Sequence, residues 1–313
     1  MSNVRIGTSG WSYPSGRGTW NGIFYPPAAK ARRGSRTSRP KFDELAYYAE
    51  HFDTVEINTT FYGQPKASVA QTWVDRTPED FEFSLKLFRE LTHAKGAALP
   101  ALDPACIDEY RRGMEPLAHS GKLGAVLAQF PPSFKQSPES LGYLDSLLEG
   151  LRDYPVAVEL RHRSWSDGFN ETLSLLNSRR AALAQIDEPK FKLSIRQNQL
   201  PNITGFYYMR LHGRNAAQWW KHDKAEDRYN YLYSSAELKG FSETAGAAKR
   251  LVKKFYLYFN NHFASKSVVN AVMIKKQLGE PIPGAYPSAF VARYPEMSGI
   301  VATDSLLPAP VQK

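Results

Sequence analysis

Charged, amide and hydroxyl side chains recur at every second position in several short apolar runs of this sequence. Glu56, Asn58 and Thr60 alternate with Val55 and Ile57, and Glu159 and Arg161 alternate with Val158 and Leu160. Arg210 and His212 continue the phase of Phe206 and Tyr208, with Met209 and Leu211 between them. Ser84 and Lys86, Gln129, Gln185 with Asp187, and Tyr258 with Asn260 hold corresponding places in other runs. A period of two is the signature of a strand, so each run turns its polar residues to one face. Buried charge is costly unless partners or a ligand compensate it. The repeated phase therefore predicts a ligand-binding mouth. The competing reading is a closed ion network, with Lys86, Arg161 and Arg210 set against Glu56, Glu159 and Asp187.

The residue types suggest the chemistry. Arg161, Arg210 and Lys86 suit an anionic, phosphorylated group, and Gln129, Asn58, Asn260 and Asn261 suit substrate hydroxyls. Glu56, Glu159, Asp187 and His212 are the candidates for general acid and base work. Glu159, Asp187 and His212 are also candidate ligands for one divalent metal ion. Glu56 with Glu159 forms a candidate glycosidase pair, with a separation of about 5–5.5 Å for retention or 6.5–9.5 Å for inversion. His93 is balanced between the mouth and a loop cap, and the other histidines, His262 among them, suit loops and helix ends. Cys106 is the single cysteine, which excludes an internal disulfide and a cysteine zinc site. No Walker loop, Rossmann glycine pattern, H-E-x-x-H or G-x-S-x-G occurs, and no nucleotide cofactor is expected.

Strands must carry these residues, and eight candidates begin at Val4, Val55, Glu82, Gly124, Val156, Ala182, Phe206 and Phe255. Helical spacing separates most of them. In 103–119, Asp103 can cap, Pro104 suits the first turn, and Ile107, Tyr110, Met114 and Leu117 share a face closed by Gly121. A second such stretch spans 266–278. Alternating strands and helices predict a single parallel (β/α)8 barrel of the TIM type, whose chemistry belongs at the carboxyl ends of the strands. Three irregularities are expected. A long Gly/Pro/Arg-rich loop at 12–40 follows the first strand, 188–205 is too weakly periodic to secure a helix after the sixth, and 214–235 is an aromatic insertion. Residues 281–313 hold six prolines and read as an extended tail, wrapping the barrel surface or partly mobile, after a barrel domain spanning 1–280.

Of the net charge of +9, nearly all comes from residues 1–41, which hold eight basic residues and no acid. Such a stripe can track phosphates, and Trp11, Tyr13, Trp20, Phe24 and Tyr25 offer stacking surfaces beside it. The bland reading is a solvated Arg/Ser/Pro loop at 28–40. A nucleic-acid binder would combine the 17–41 loop with Trp219, Trp220, Tyr229, Tyr231 and Tyr233; otherwise those aromatics form a lid on the mouth. With no secretory leader and no apolar run of about 18 residues, the expected setting is cytoplasmic, without a membrane.

Six segments carry a family resemblance: RIGTSGWSYP (5–14), FDTVEINTTFY (52–62), LAQFPPSF (127–134), VELRHRSW (158–165), YYMRLHGR (207–214) and YFNNH (258–262). Together they resemble DUF72, domain of unknown function 72. The resemblance implies one TIM-barrel-like domain of bacteria and archaea, with no activity attached to the family. It places Trp11, Glu56, Asn58, Tyr62, Lys86, Gln129, Glu159, Arg161, His212 and Asn260 at motif positions without assigning them roles, and Trp11 and Tyr62 are counted with the expected substrate contacts. A looser likeness to the sugar isomerases and abasic-site endonucleases of the xylose isomerase-like superfamily rests on Glu159, Asp187 and His212. It fails where Asn260 and Asn261 replace an acid. The expected function is a hydrolase or isomerase acting by acid–base chemistry, with or without one divalent ion, on a phosphorylated sugar or a nucleic-acid phosphodiester. The alternative is nucleic-acid binding without turnover.

Overall fold

The computed structural model describes residues 2–27, 42–93, 99–100, 102–197 and 205–304. The Arg-rich run 30–41 therefore lies outside the described residues, as does the end of the chain after Asp304.

All eight expected strands form, and their starts fall within a residue of the expected ones. They are β1 (Val4–Ser9), β2 (Thr54–Ile57), β3 (Glu82–Lys86), β4 (Leu123–Gln129), β5 (Val156–Glu159), β8 (Phe206–Leu211) and β9 (Lys254–Phe259), with the sixth split into β6 (Ala182–Leu183) and β7 (Gln185–Asp187). Every pairing in this sheet is parallel, in the order β6-β5-β4-β3-β2-β1-β9-β8-β7. The two ends of the sheet are thus the two halves of one broken strand. β6 pairs with β5 and β7 with β8, which brings the barrel round almost to closure. Gln197 occupies the break: its side-chain amide donates to Ala184 O (2.9 Å) and accepts from Ile186 N (2.6 Å).

Helices α1 (Glu44–Ala49), α2 (Ala67–Asp75), α3 (Pro104–His119), α4 (Pro138–Gly150), α5 (Ser164–Asp167), α6 (Phe169–Ser178), α7 (Ser235–Ala248) and α8 (Lys266–Leu278) lie between or after the strands. α3 follows its sequence signals closely. Asp103 accepts from Ala105 N, Pro104 occupies the first turn, and Ile107, Tyr110, Met114 and Leu117 are buried. Gly121, with φ of +73°, turns the chain out of it. Among the described residues 188–197 no helix follows β7. No helix among the described residues is long and apolar enough to cross a membrane.

The lumen is filled unevenly. Ala125, Leu127, Ala157, Ala182 and Ala184 line one wall, and Phe206, Tyr208, Tyr256 and Tyr258 reach in from the other. Small residues on β4, β5 and β6 leave the volume that the aromatics of β8 and β9 occupy. The larger apolar cluster lies between sheet and helices.

Two expectations for the connecting segments are corrected. Trp20, Phe24 and Tyr25, read as stacking surfaces, are fully buried, and Trp20 Nε1 donates to His262 O (2.7 Å). Residues 281–304 are not an extended tail. They form β10 (Ala285–Pro287), α9 (Ser288–Arg293) and β11 (Ala302–Asp304), with β10 and β11 paired in parallel. Tyr286, Phe290, Tyr294 and Met297 are buried, and Tyr286 packs edge-on to His51 at 4.6 Å. The apolar spacing of Tyr286, Phe290 and Tyr294 outweighs the helix-breaking prolines around it.

Candidate functional site

Arg210, on β8, is the hub of the polar lumen. Its Nε and Nη2 donate to the two oxygens of Glu56 (2.8 and 2.6 Å), and Nη1 donates to Glu159 Oε2 (2.5 Å). Glu56 also accepts from Ser9 Oγ and from the Tyr208 hydroxyl, both at 2.7 Å. Arg161 grips the other oxygen of Glu159 through Nε and Nη2 (2.8 and 2.7 Å), and its Nη1 lies 3.3 Å from Glu188 Oε2. Burial alone would raise Glu56 and Glu159, but Arg210 overrides it and holds both carboxyls below their ordinary values. Burial raises Glu188, against the pull of Arg161.

This geometry reassigns several expected roles. Arg210 is 1% exposed with all three of its nitrogens engaged, so it orders the site and has no face left for phosphate. Glu56 and Glu159 are held ionised and share one guanidinium, which leaves neither with a proton to give as a glycosidase acid. Asp187 does not join the network. It accepts from Arg214 Nε and Nη2 (2.7 and 3.1 Å) and from the Tyr233 hydroxyl (2.8 Å). Asp187 is registered with Leu211 on the face away from the lumen, whereas Glu188, in phase with Ala182 and Ala184, comes to Arg161 in its place. Period two run forward from Ala182 and Ala184 reaches Glu188, but the choice of Gln185 and Asp187 as the inward pair passes over it. With Asp187 drawn away and both Glu159 oxygens occupied, the candidate metal ligands do not converge. Among the described residues, no three His, Cys, Asp or Glu side chains group so as to hold a metal.

Three groups at the carboxyl end are less fully engaged. His212 sits between Asn260 Nδ2 (3.0 Å from Nδ1) and the guanidinium nitrogens of Arg210 and Arg161 (3.3 and 3.5 Å from Nε2). Burial, then Arg210, pushes its imidazole down to about 4, so it is neutral at pH 7. Asn58 Oδ1 is buried with no donor among the described residues. Lys86 ends β3, two residues beyond Ser84, whose hydroxyl meets that of Tyr258 in the lumen (2.9 Å). Its Nζ lies 4.1 Å over the Phe61 ring. Among the described residues no carboxylate lies within 4 Å of that nitrogen. Burial, then Arg210, lowers Lys86 to about 7. His93 packs edge-on to the same Phe61 ring at 4.8 Å, and burial, then Lys86, lowers it to about 4.

The remaining expected contacts divide. Gln129 Oε1 accepts from Arg210 Nη1 (3.4 Å), at the rim of the network. Tyr62 is 71% exposed, and Trp11 is half-buried, edge-on to Trp73. Asn261, expected at the substrate, instead donates to Tyr231 O (2.8 Å) and Asn270 Oδ1 (2.7 Å) in the packing above α8. The aromatic insertion lies over the mouth. Trp219 is 3% exposed, edge-on to His212 at 6.4 Å, and Tyr229 packs on His262 at 5.0 Å. Arg17 ties the first loop to it through both oxygens of Asp227 (2.6 Å each). Of the five aromatics proposed to stack on bases, Trp219 and Tyr233 are buried, and Trp220 is the exposed one.

Comparison with known proteins follows this architecture over most of its length. Residues 5–290 match the family described as "Protein of unknown function DUF72". The UPF0759 protein YunF of Bacillus subtilis (strain 168) is 28% identical over 296 residues, covering 91% of this chain and 98% of that protein. The UPF0759 protein YecE of Escherichia coli (strain K12) is 35% identical over 132 residues, which are 40% of this chain and 46% of that one. A DUF72 family crystal structure from Thermotoga maritima MSB8 superposes with a TM-score of 0.72 at 35% identity, over 88% of this chain and 99% of that chain. One from Enterococcus faecalis V583 gives 0.72 at 26% identity, over 89% and 96%. A barrel with the same fold along nearly the whole chain, and a family match across 5–290, leave one conclusion: the chain belongs to the DUF72 family.

Proposed function

We propose that this protein is an enzyme that takes a phosphorylated sugar into the carboxyl-terminal mouth of its barrel and works by proton transfer, as an isomerase does. The observation that carries this reading is Lys86, a partly buried amine with no counter-ion among the described residues, beside a network whose other charges are paired. An unpaired buried cation is costly, and an anionic ligand would offset that cost. Arg161, 14% exposed, is the second cation within reach of such a ligand. Glu56, Arg210 and Glu159 hold the geometry, and His212 and Asn260 offer neutral hydrogen-bonding groups. Hydrolysis of a phosphodiester is less well supported, because it needs charge stabilisation at phosphorus and Arg210 is already spent. For nucleic-acid binding, the remaining support is the exposed Trp220 and the charge of the 30–41 run.

Calorimetric titration with a panel of sugar phosphates, and with inorganic phosphate as competitor, tests the reading. Binding that phosphate displaces and that Lys86→Met weakens about ten-fold or more is expected, the loss of one charge-assisted contact. Absence of any phosphate-sensitive binding overturns it.

A further inference from the structure

We propose that the substrate of this mouth carries a carbonyl group, and that the Lys86 amine joins it covalently as an imine. This rests on the reading of the mouth as a site for phosphate-bearing substrates, and it names the group that reacts.

The geometry points to a nucleophile rather than an anchor. The root of the side chain is fixed, since Lys86 O accepts from Thr60 Oγ1 (2.6 Å) and from the Tyr110 hydroxyl (3.2 Å). Among the described residues the tip has no acceptor, and it lies over the Phe61 ring. Elsewhere the chain treats a buried lysine differently: Lys122 donates to Val74 O, Thr77 O and Thr77 Oγ1 at 2.8, 2.8 and 3.1 Å. Lys275 also has no acceptor among the described residues, but it sits on α8, outside the lumen, against Phe52 at 5.0 Å. The carboxylates that would neutralise Lys86 are consumed by Arg210, so the amine meets guanidinium charge instead. Burial and like charge favour the uncharged amine, whose lone pair is the nucleophile. A lysine kept only to bind phosphate gains nothing from losing its charge.

The step balances without an oxidant or a reductant. The nitrogen lone pair attacks the carbonyl carbon, a C–N bond forms, and the C=O π pair moves to oxygen. A proton passes from nitrogen to that oxygen, giving a carbinolamine. With one further proton the C–O bond breaks and water leaves, while the nitrogen lone pair closes the C=N bond. The iminium carries the single charge of that added proton, and it acidifies the neighbouring C–H, which is the bond an isomerase must break. His93, a neutral imidazole packed on the same Phe61 ring, is placed to relay the proton.

Sodium borohydride reduces an iminium to a stable secondary amine, so trapping reads the step directly. The full chain is incubated with dihydroxyacetone phosphate or glyceraldehyde phosphate, reduced, and examined by intact mass and peptide mapping, with calorimetry on the same samples. The expected result is one adduct on the peptide holding Lys86, suppressed by inorganic phosphate. Labelling should fall about ten-fold or more in Lys86→Met and in Lys86→Arg, which keeps the charge but loses the nucleophile. Phosphate-sensitive binding without an adduct overturns the imine and leaves the mouth reading standing. Neither binding nor adduct overturns both. Equal labelling of wild type and Lys86→Met assigns the reaction to surface lysines and also overturns the inference.

Discussion

Lys86 and Arg210 are cations of one lumen held in opposite ways, and opposite responses to mutation follow. Arg210→Met leaves Glu56 buried without a counter-charge and Glu159 with Arg161 alone, a change that costs about 3–5 kcal/mol, and urea denaturation should show it. Lys86→Met removes a charge that has no partner among the described residues, so its melting temperature at neutral pH should stay level or rise. The pH dependence separates the two further. Folding takes Lys86 from its ordinary 10.5 to about 7, so between those values the unfolded chain binds a proton that the folded chain does not. Stability therefore rises with pH across that window. The difference between wild type and Lys86→Met should shrink from pH 7 toward 10.5. His212, lowered from 6.5 to about 4, acts on the acid side: its contribution is lost as pH falls from 6.5 to about 4. Thermal melts of wild type and His212→Asn across that range check the sign.

At the scale of elements, the sequence was most legible where local signals and packing agree. Asp103, Pro104 and Gly121 delimit α3, and the face drawn through Ile107, Tyr110, Met114 and Leu117 is the one that is buried. Period-two alternation likewise placed Glu56, Glu159, Arg210 and His212 in one lumen. It misplaced Asp187, because polarity alone made Gln185 and Asp187 the inward pair, whereas the small residues Ala182 and Ala184 face the lumen and Asp187, level with Leu211, lies on the other face. The pairing of charges was also beyond reach. Whether Arg210 binds a ligand or two glutamates depends on distances between β2, β5 and β8, which no single run encodes. A close approach gives a further prediction. A Cβ at Gly113 of α3 would lie 2.0 Å from Pro65 O, on the segment leading into α2. Gly113→Ala must push the two apart, at a cost of about 1–3 kcal/mol, readable as a lower urea midpoint.

Considered whole, the molecule extends its core past the barrel. Tyr286, Phe290, Tyr294 and Met297 are each 5% exposed or less. Burying four such side chains contributes roughly 6–12 kcal/mol, comparable to the total stability of a domain, about 5–15 kcal/mol. A chain ending at Gly284 should therefore lose its cooperative melting transition in calorimetry. The barrel itself is unevenly joined. β8 and β9 share six paired positions and β1 and β9 five; β1 holds β2 by two, but β6, held to β5 by two, and β7, held to β8 by three, each pair on one side only. Local opening takes least free energy where ladders are shortest. The wall between β5 and β8 is thus a seam, and amide protons at 182–187 should trade with deuterated solvent well before those of β1 and β9. Arg161 and His212 border that seam, so the side on which the barrel breathes is also the side on which its charged interior can first meet water.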